Sequence, residues 1–203
     1  MTDATDVEPP VDGRVARRDR NRNAVLDAVL DMFGEDLLWP SIELASERSG
    51  LSLRSVYRYF PDPAALIEAA IRRNVEKNRE YGLLPSIGRG PLGKRIDDLI
   101  TMRVRLFERI APVYRATIHN APSNARLRDE LAATRRLFRD QFEQQFAPEL
   151  DELGAASRHD AVAVGDLLTQ MDSIDMLRRY RQFTIAETEA VLRSGLSASL
   201  ERR

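Results

Sequence analysis

Residues 41–60, SIELASERSGLSLRSVYRYF, read as two short helices joined by a tight turn. Ser41 follows Trp39-Pro40 and is placed to cap the first helix, its side-chain oxygen accepting an N–H that the first turn leaves unpaired. Glu43 puts a carboxylate where the helix dipole favours one. Ile42, Ala45 and Ser49 share a stripe small enough for a crossing helix to approach. Gly50 supplies the left-handed backbone that ends the helix. Leu51 then turns inward and Ser52 caps the second helix, along which Val56 and Phe60 share the inner face. Pro61 stops that helix, because the residue before a proline avoids helical geometry.

This layout leaves Leu53, Arg54, Ser55, Tyr57, Arg58 and Tyr59 facing outward or sideways. Two amphipathic helices with a solvated arginine face would also produce it. The tyrosines, however, sit among the arginines and serines rather than in the apolar stripe. Hydroxyl, phenol and guanidinium groups together suit contacts to phosphates and base edges. The arrangement is that of a helix-turn-helix whose second helix is offered to a DNA groove.

Working outward, residues 23–34 (NAVLDAVLDMFG) form a helix before the pair. Residues 62–70 (DPAALIEAA) begin a helix after it, with Asp62 as cap and Pro63 at the first helical position. Upstream, residues 1–13 hold four acids and no base, whereas residues 14–22 (RVARRDRNR) hold five arginines and one aspartate. Residues 1–22 therefore read as a flexible arm, acidic then arginine-rich. It is either solvated or laid along a DNA backbone or minor groove.

Residues 82–93 (GLLPSIGRGPLG) contain four glycines and two prolines and read as a flexible linker. It separates residues 23–81 from a second domain at residues 94–203. There Ile96, Leu99, Ile100, Leu106, Phe107 and Ile110 make one apolar stripe that Pro112 closes. A short helix follows over 113–119. A long one carries Leu127, Leu131, Thr134, Phe138, Phe142 and Phe146 and stops before Pro148. The last two helices fall at 162–180 and 185–200, with Thr184 as the final cap. No segment alternates with a strand's period of two. The expected class is all-α: four helices, then a bundle of five.

The last two helices carry more apolar surface than one stripe needs. Val164, Leu168, Ile185, Leu192, Leu196 and Leu200 are the candidate faces for pairing with a second copy as a four-helix arrangement. Met102, Phe107, Tyr114, His119, Phe138, Phe142 and Met171 mix aromatic, sulfur and polar character on inner faces. They are the candidates for a small-molecule pocket, and their chemistry leans toward an apolar or aromatic ligand.

Composition narrows the classes. Of 31 basic residues all but Lys77 and Lys94 are arginine, so anion recognition falls to planar guanidinium groups. There is no cysteine, hence no disulfide or thiolate metal site. The two histidines, His119 and His159, lack ligand-spaced neighbours, and no phosphate-binding glycine loop occurs. No catalytic constellation or cofactor site is expected. Neither a membrane-spanning run nor a signal peptide is read, which makes the expected location cytoplasmic.

Residues 41–66, SIELASERSGLSLRSVYRYFPDPAAL, resemble the DNA-binding domain of the TetR family of bacterial transcriptional regulators. The family pattern runs roughly T-V-x-x-I-A-x-x-A-G-V-S-x-G-T-L-Y-x-H-F-x-x-K-x-x-L. Ser41, Gly50, Leu51, Ser52, Ser55, Val56, Tyr57, Phe60 and Leu66 agree or are conservative. Arg54 replaces a frequent glycine, Tyr59 a histidine, and Pro63 a lysine that often meets a phosphate. The resemblance spans about residues 20–72. It implies a homodimer on a palindromic double-stranded operator, most often a repressor released when a small molecule enters the C-terminal bundle. An activator on the same scaffold, or a helical protein-interaction module without DNA, are the alternatives. On this reading Ser41, Ser52 and Tyr57 hold phosphates, Arg54 with Ser55 and Leu53 faces bases, and Arg58 and Tyr59 complete the contact surface. Glu43 is either a base acceptor toward cytosine or a helix-end charge.

Overall fold

The computed structural model describes residues 13–200. Among them are ten α-helices and no strand, the all-α class that the periodicity implied. The chain divides into two compact units, Met1–Ala70 and Ile71–Arg203. The division falls inside a helix and not in the glycine-rich segment 82–93.

The first unit contains α1 (Gly13–Gly34), α2 (Ile42–Ser49), α3 (Leu53–Tyr59) and the first half of α4 (Pro63–Asn78). Val25, Leu26, Val29, Met32 and Phe33 of α1 pack with Ile42 and Ala45 of α2, Val56 of α3, and Phe60, Leu66 and Ile67, all essentially excluded from solvent. The local chemistry is as read. Leu44 N–H donates to Ser41 Oγ at 3.2 Å, Ser55 N–H to Ser52 Oγ at 3.3 Å, and Ala65 N–H to Asp62 Oδ1 at 2.8 Å. Gly50 takes φ 69°, the left-handed value expected of it.

The arginine-rich residues 14–22 are not an arm. They are the first turns of α1. Arginine and alanine are good helix formers, and no proline interrupts the run, so the helix extends upstream to Gly13. The acidic residues 1–12 lie outside the described residues.

In the second unit α5 (Leu92–Asn120) and α6 (Ala125–Gln145) are followed by a short α7 (Ala147–Leu150). Then come α8 (Ala155–Thr169), α9 (Met171–Asp175) and α10 (Ile185–Leu200). Three expectations are corrected. Pro112 does not close a helix, since α5 runs through it. Leu106, Phe107 and Ala111 before the proline and Tyr114 after it lie in one core cluster, and that packing outweighs the single backbone hydrogen bond it forfeits. The expected helix 162–180 breaks at Gln170, whose ψ of 153° is extended, and ends in a π-helical turn over Met176–Tyr180. Residues 82–93 are tied down rather than flexible. Gly88 N–H donates to Gln145 Oε1 at 2.9 Å, and Gly90 O accepts from Arg95 Nε at 2.9 Å. Gly82 O accepts from Gln141 Nε2 at 2.8 Å. The final cap is a reciprocal box: Glu187 N–H donates to Thr184 Oγ1 at 3.2 Å, and Thr184 N–H to Glu187 Oε2 at 2.7 Å.

One buried charge stands out. Arg103 of α5 is fully excluded from solvent. It donates to Gln141 Oε1 at 2.7 Å and Phe138 O at 3.0 Å, and its guanidinium lies 3.8 Å from the centre of the Phe138 ring. Burial pushes its pKa down to about 9, with Asp166 pulling the other way, so it remains a cation at neutral pH.

Candidate nucleic-acid interface

The exposed side of α3 holds the residues expected there. Leu53 and Tyr57 are 41% and 46% exposed, although both have the bulk to be buried. Arg54 and Arg58 are exposed, and Ser55 and Tyr59 are half-buried. Val56 and Phe60, on the other side, anchor the helix in the core. A short helix whose inner face is two apolar residues and whose outer face is arginine, hydroxyl and phenol presents donors without needing them for its own folding.

Several of these side chains are already engaged with each other. Ser41 is the α2 cap. The Glu43 carboxyl is held below the usual carboxylate range by its own backbone N–H, then by the Ser41 hydroxyl and, less, by Tyr57. Tyr57 donates to Glu43 Oε1 at 3.3 Å, and that neighbouring charge raises the phenol's pKa. The carboxylate therefore serves α2 and orients Tyr57. Ser52 and Ser55 share a hydrogen bond at 2.9 Å between their hydroxyls. Arg58 Nη2 donates to Tyr59 OH at 3.3 Å, with the guanidinium 5.2 Å from the ring centre. Tyr59 meets Phe60 edge-on at 6.3 Å, and Arg22 lies 5.6 Å from the Phe60 ring centre. The surface is thus braced by an alternation of guanidinium and aromatic groups.

Beside α3 is an open cleft of about 560 Å³ lined by Arg14, Arg17, Arg18 and Asn21 of α1 and by Ser55, Arg58 and Tyr59. The sequence carried a signal for it that the arm reading passed over. Positions 14, 17, 18 and 21 follow the spacing of one helical face.

The pocket candidates fare differently. Met102, Phe107, Tyr114, Phe138, Phe142 and Met171 all lie in one buried core cluster, whereas His119 is exposed and leaves the set. Near the end of α5 the inner face is occupied by Ala116, Thr117 and Asn120, which turns His119 outward. Of the seven only Tyr114 lines an apolar crevice of about 60 Å³, together with Ile71 and Val75 of α4, Ile110, Val113 and Leu131. Tyr114 donates to Asp172 Oδ2 at 2.7 Å, and Arg135 also holds that carboxylate, at 2.9 Å. Burial and then Asp172 push the phenol well above its ordinary range, so it stays protonated.

The pairing candidates also divide. Leu192, Leu196 and Leu200 are buried in the chain's own core. They are corrected from interface to core, because α10 needs that stripe to pack on α5. Leu168 is half-buried against Gly195. Val164 and Ile185 are 44% and 46% exposed, and their neighbours Leu167 and Val191 are 68% and 42% exposed.

Among the described residues no group of histidine and carboxylate side chains is arranged to hold a metal ion, and no helix is long and apolar enough to cross a membrane. No family model matches the sequence, and no curated protein is significantly similar to it. Solved structures do match. A TetR-family transcriptional regulator from Streptomyces coelicolor aligns with a TM-score of 0.69 at 22% identity, over 89% of this chain and 80% of that one. A transcriptional regulator from Rhodococcus sp. Rha1 gives 0.62 at 18% identity, over 91% and 96%. A TetR transcriptional regulator from the same source gives 0.53 at 18% identity, over 91% and 98%. The chain has the fold of TetR-type regulators.

Proposed function

We propose that this protein is a DNA-binding transcriptional regulator. It acts as a homodimer on a palindromic operator, most simply as a repressor, and a small-molecule effector releases it. The observation that carries the reading is the exposed face of α3, with Arg54, Ser55, Tyr57 and Arg58 presented on a helix-turn-helix fixed by Gly50. Arg54, with Ser55 and Leu53, reads bases, Ser52 and Tyr57 meet phosphates, and Glu43 keeps Tyr57 aimed.

One α3 reads only a few base pairs. Two, held about 34 Å apart, read a palindrome. The exposed apolar positions Val164 and Leu167 of α8 and Ile185 and Val191 of α10 support pairing with a second copy. The effector enters at the crevice beside Tyr114. At about 60 Å³ that space holds little more than water, so a ligand must widen it by displacing Ile71 and Val75. These residues belong to α4, whose first half packs in the unit that carries α3. The lining favours an apolar effector, and release requires that it bind the displaced state more tightly than the DNA-bound one.

The direct test is selection of sites from random duplex DNA by the full chain. The expected product is an enriched inverted repeat whose affinity falls steeply with salt. A helical interaction module would enrich no sequence and bind its partner with little salt dependence. Against the selected operator, Arg54→Ala is expected to cost about 1–3 kcal/mol and to relax one base position per half-site. An unchanged ratio between operator and scrambled duplex would remove Arg54 as a reader.

A further inference from the structure

We infer that the first turns of α1 form, with Arg58 of α3, a rigid second grip on the duplex: a backbone-phosphate clamp that adds affinity without reading sequence. This rests on the regulator reading and assigns a role to the arginine-lined cleft that the reading does not use. Arg14, Arg17, Arg18 and Asn21 recur at i, i+3, i+4 and i+7 and line the cleft opposite Ser55, Arg58 and Tyr59. Asp19, the one acid in that stretch, is rotated about 100° from Arg18, away from the stripe. Arg17, Arg18 and Arg58 form no ion pair with a carboxylate among the described residues, in a chain where Arg48, Arg95, Arg115 and Arg178 all do.

The shape of the charge names the occupant. The cleft is open, and its cations are strung out instead of converging. From position 14 to position 21 α1 rises about 10 Å, so these cations are spread over more length than one phosphate occupies on a strand. A free anion would be met by a few donors at one point, whereas a row of guanidinium groups meets a row of phosphates. Arg58 is set in advance by its contact with Tyr59, and Arg22 on Phe60 braces α1 against the same aromatic pair. The basic segment is therefore ordered before DNA arrives, and the grip does not pay the cost of folding an arm.

The test measures binding of the full-length protein to its selected operator and to a scrambled duplex across a salt series. Arg17→Ala/Arg18→Ala keeps good helix formers in α1. It is expected to weaken binding to both duplexes alike, by roughly 10–50-fold near physiological salt, and to make the log–log salt slope shallower by about 2. Arg17→Lys/Arg18→Lys is expected to restore most of that slope, and Arg54→Ala to change the operator-to-scrambled ratio with little change of slope. A double alanine variant with the wild-type slope overturns the clamp and leaves the regulator reading standing. A loss confined to the operator overturns it too, by making these arginines base readers. If the unaltered protein binds no duplex at low salt, both fall together.

Discussion

Arg95→Met is expected to lower the free energy of unfolding by about 3–5 kcal/mol, the cost of breaking a buried charged network from one side. Arg95 is 4% exposed and is spent entirely on neighbours. Its Nη1 donates to Gln145 O at 2.7 Å and Glu149 Oε2 at 2.8 Å, its Nη2 pairs with the other Glu149 oxygen, and its Nε donates to Gly90 O at 2.9 Å. Gln145 answers by donating to Arg95 O at 2.9 Å while accepting from Gly88 N–H at 2.9 Å. Methionine fills the volume but leaves a carboxylate and two carbonyl oxygens without donors. The same residue closes residues 88–90 onto α6, so the loss appears in two readouts. Urea or thermal unfolding followed by helical circular dichroism gives the energy, and hydrogen exchange at 82–93 gives the loosened segment. A destabilisation under about 1 kcal/mol would mean that water replaces these partners at little cost.

Gly165→Val is expected to cost about 3 kcal/mol, at the upper end of the usual range for forcing extra methyl groups into a packed core. A Cβ built on Gly165 overlaps the Phe142 ring. That ring is fully buried and tilted against Phe146 at 4.9 Å between centroids, so it has nowhere to retreat. Even Gly165→Ala should destabilise, although alanine gains about 1 kcal/mol over glycine in a helix. Gly195 offers the internal comparison. Its Cβ would meet only the end of the Leu168 side chain at 3.0 Å, and Gly195→Ala is expected to be near neutral in the monomeric fold. Adding Phe142→Leu to Gly165→Ala should recover part of the loss, with a coupling of about 0.5–3 kcal/mol in a double-mutant cycle. Strict additivity would show that the ring is not what the new methyl meets.

The helix-turn-helix was legible because its determinants are local. Ser41, Gly50, Ser52 and Asp62 act within three or four residues of themselves, and each does what its chemistry dictates. The second unit was legible in class and not in detail. Whether Pro112 ends a helix depends on what packs on both sides of it, and that packing comes from elements dozens of residues away. The stripe of Leu192, Leu196 and Leu200 identifies a face to be covered and is silent on whether α5 or another molecule covers it. Arg103 was the clearest missed signal. It falls three and four residues after Ile100 and Leu99 and four before Phe107, squarely on the buried stripe, where a charge marks an internal hydrogen-bonded site and not a solvated face. Residues 14–22 were misread by composition, since charge density was taken for disorder although the spacing of Arg14, Arg17, Arg18 and Asn21 was already that of a helix.

The composition of the unit that holds the cleft between α1 and α3 limits how the charge of that cleft can be altered. Residues 1–70 contain no lysine at all, so enzymes or metabolites that acylate amines find no amine side chain in the unit that carries the cleft. The positive charge of this surface is therefore out of reach of any modification that acts on lysine.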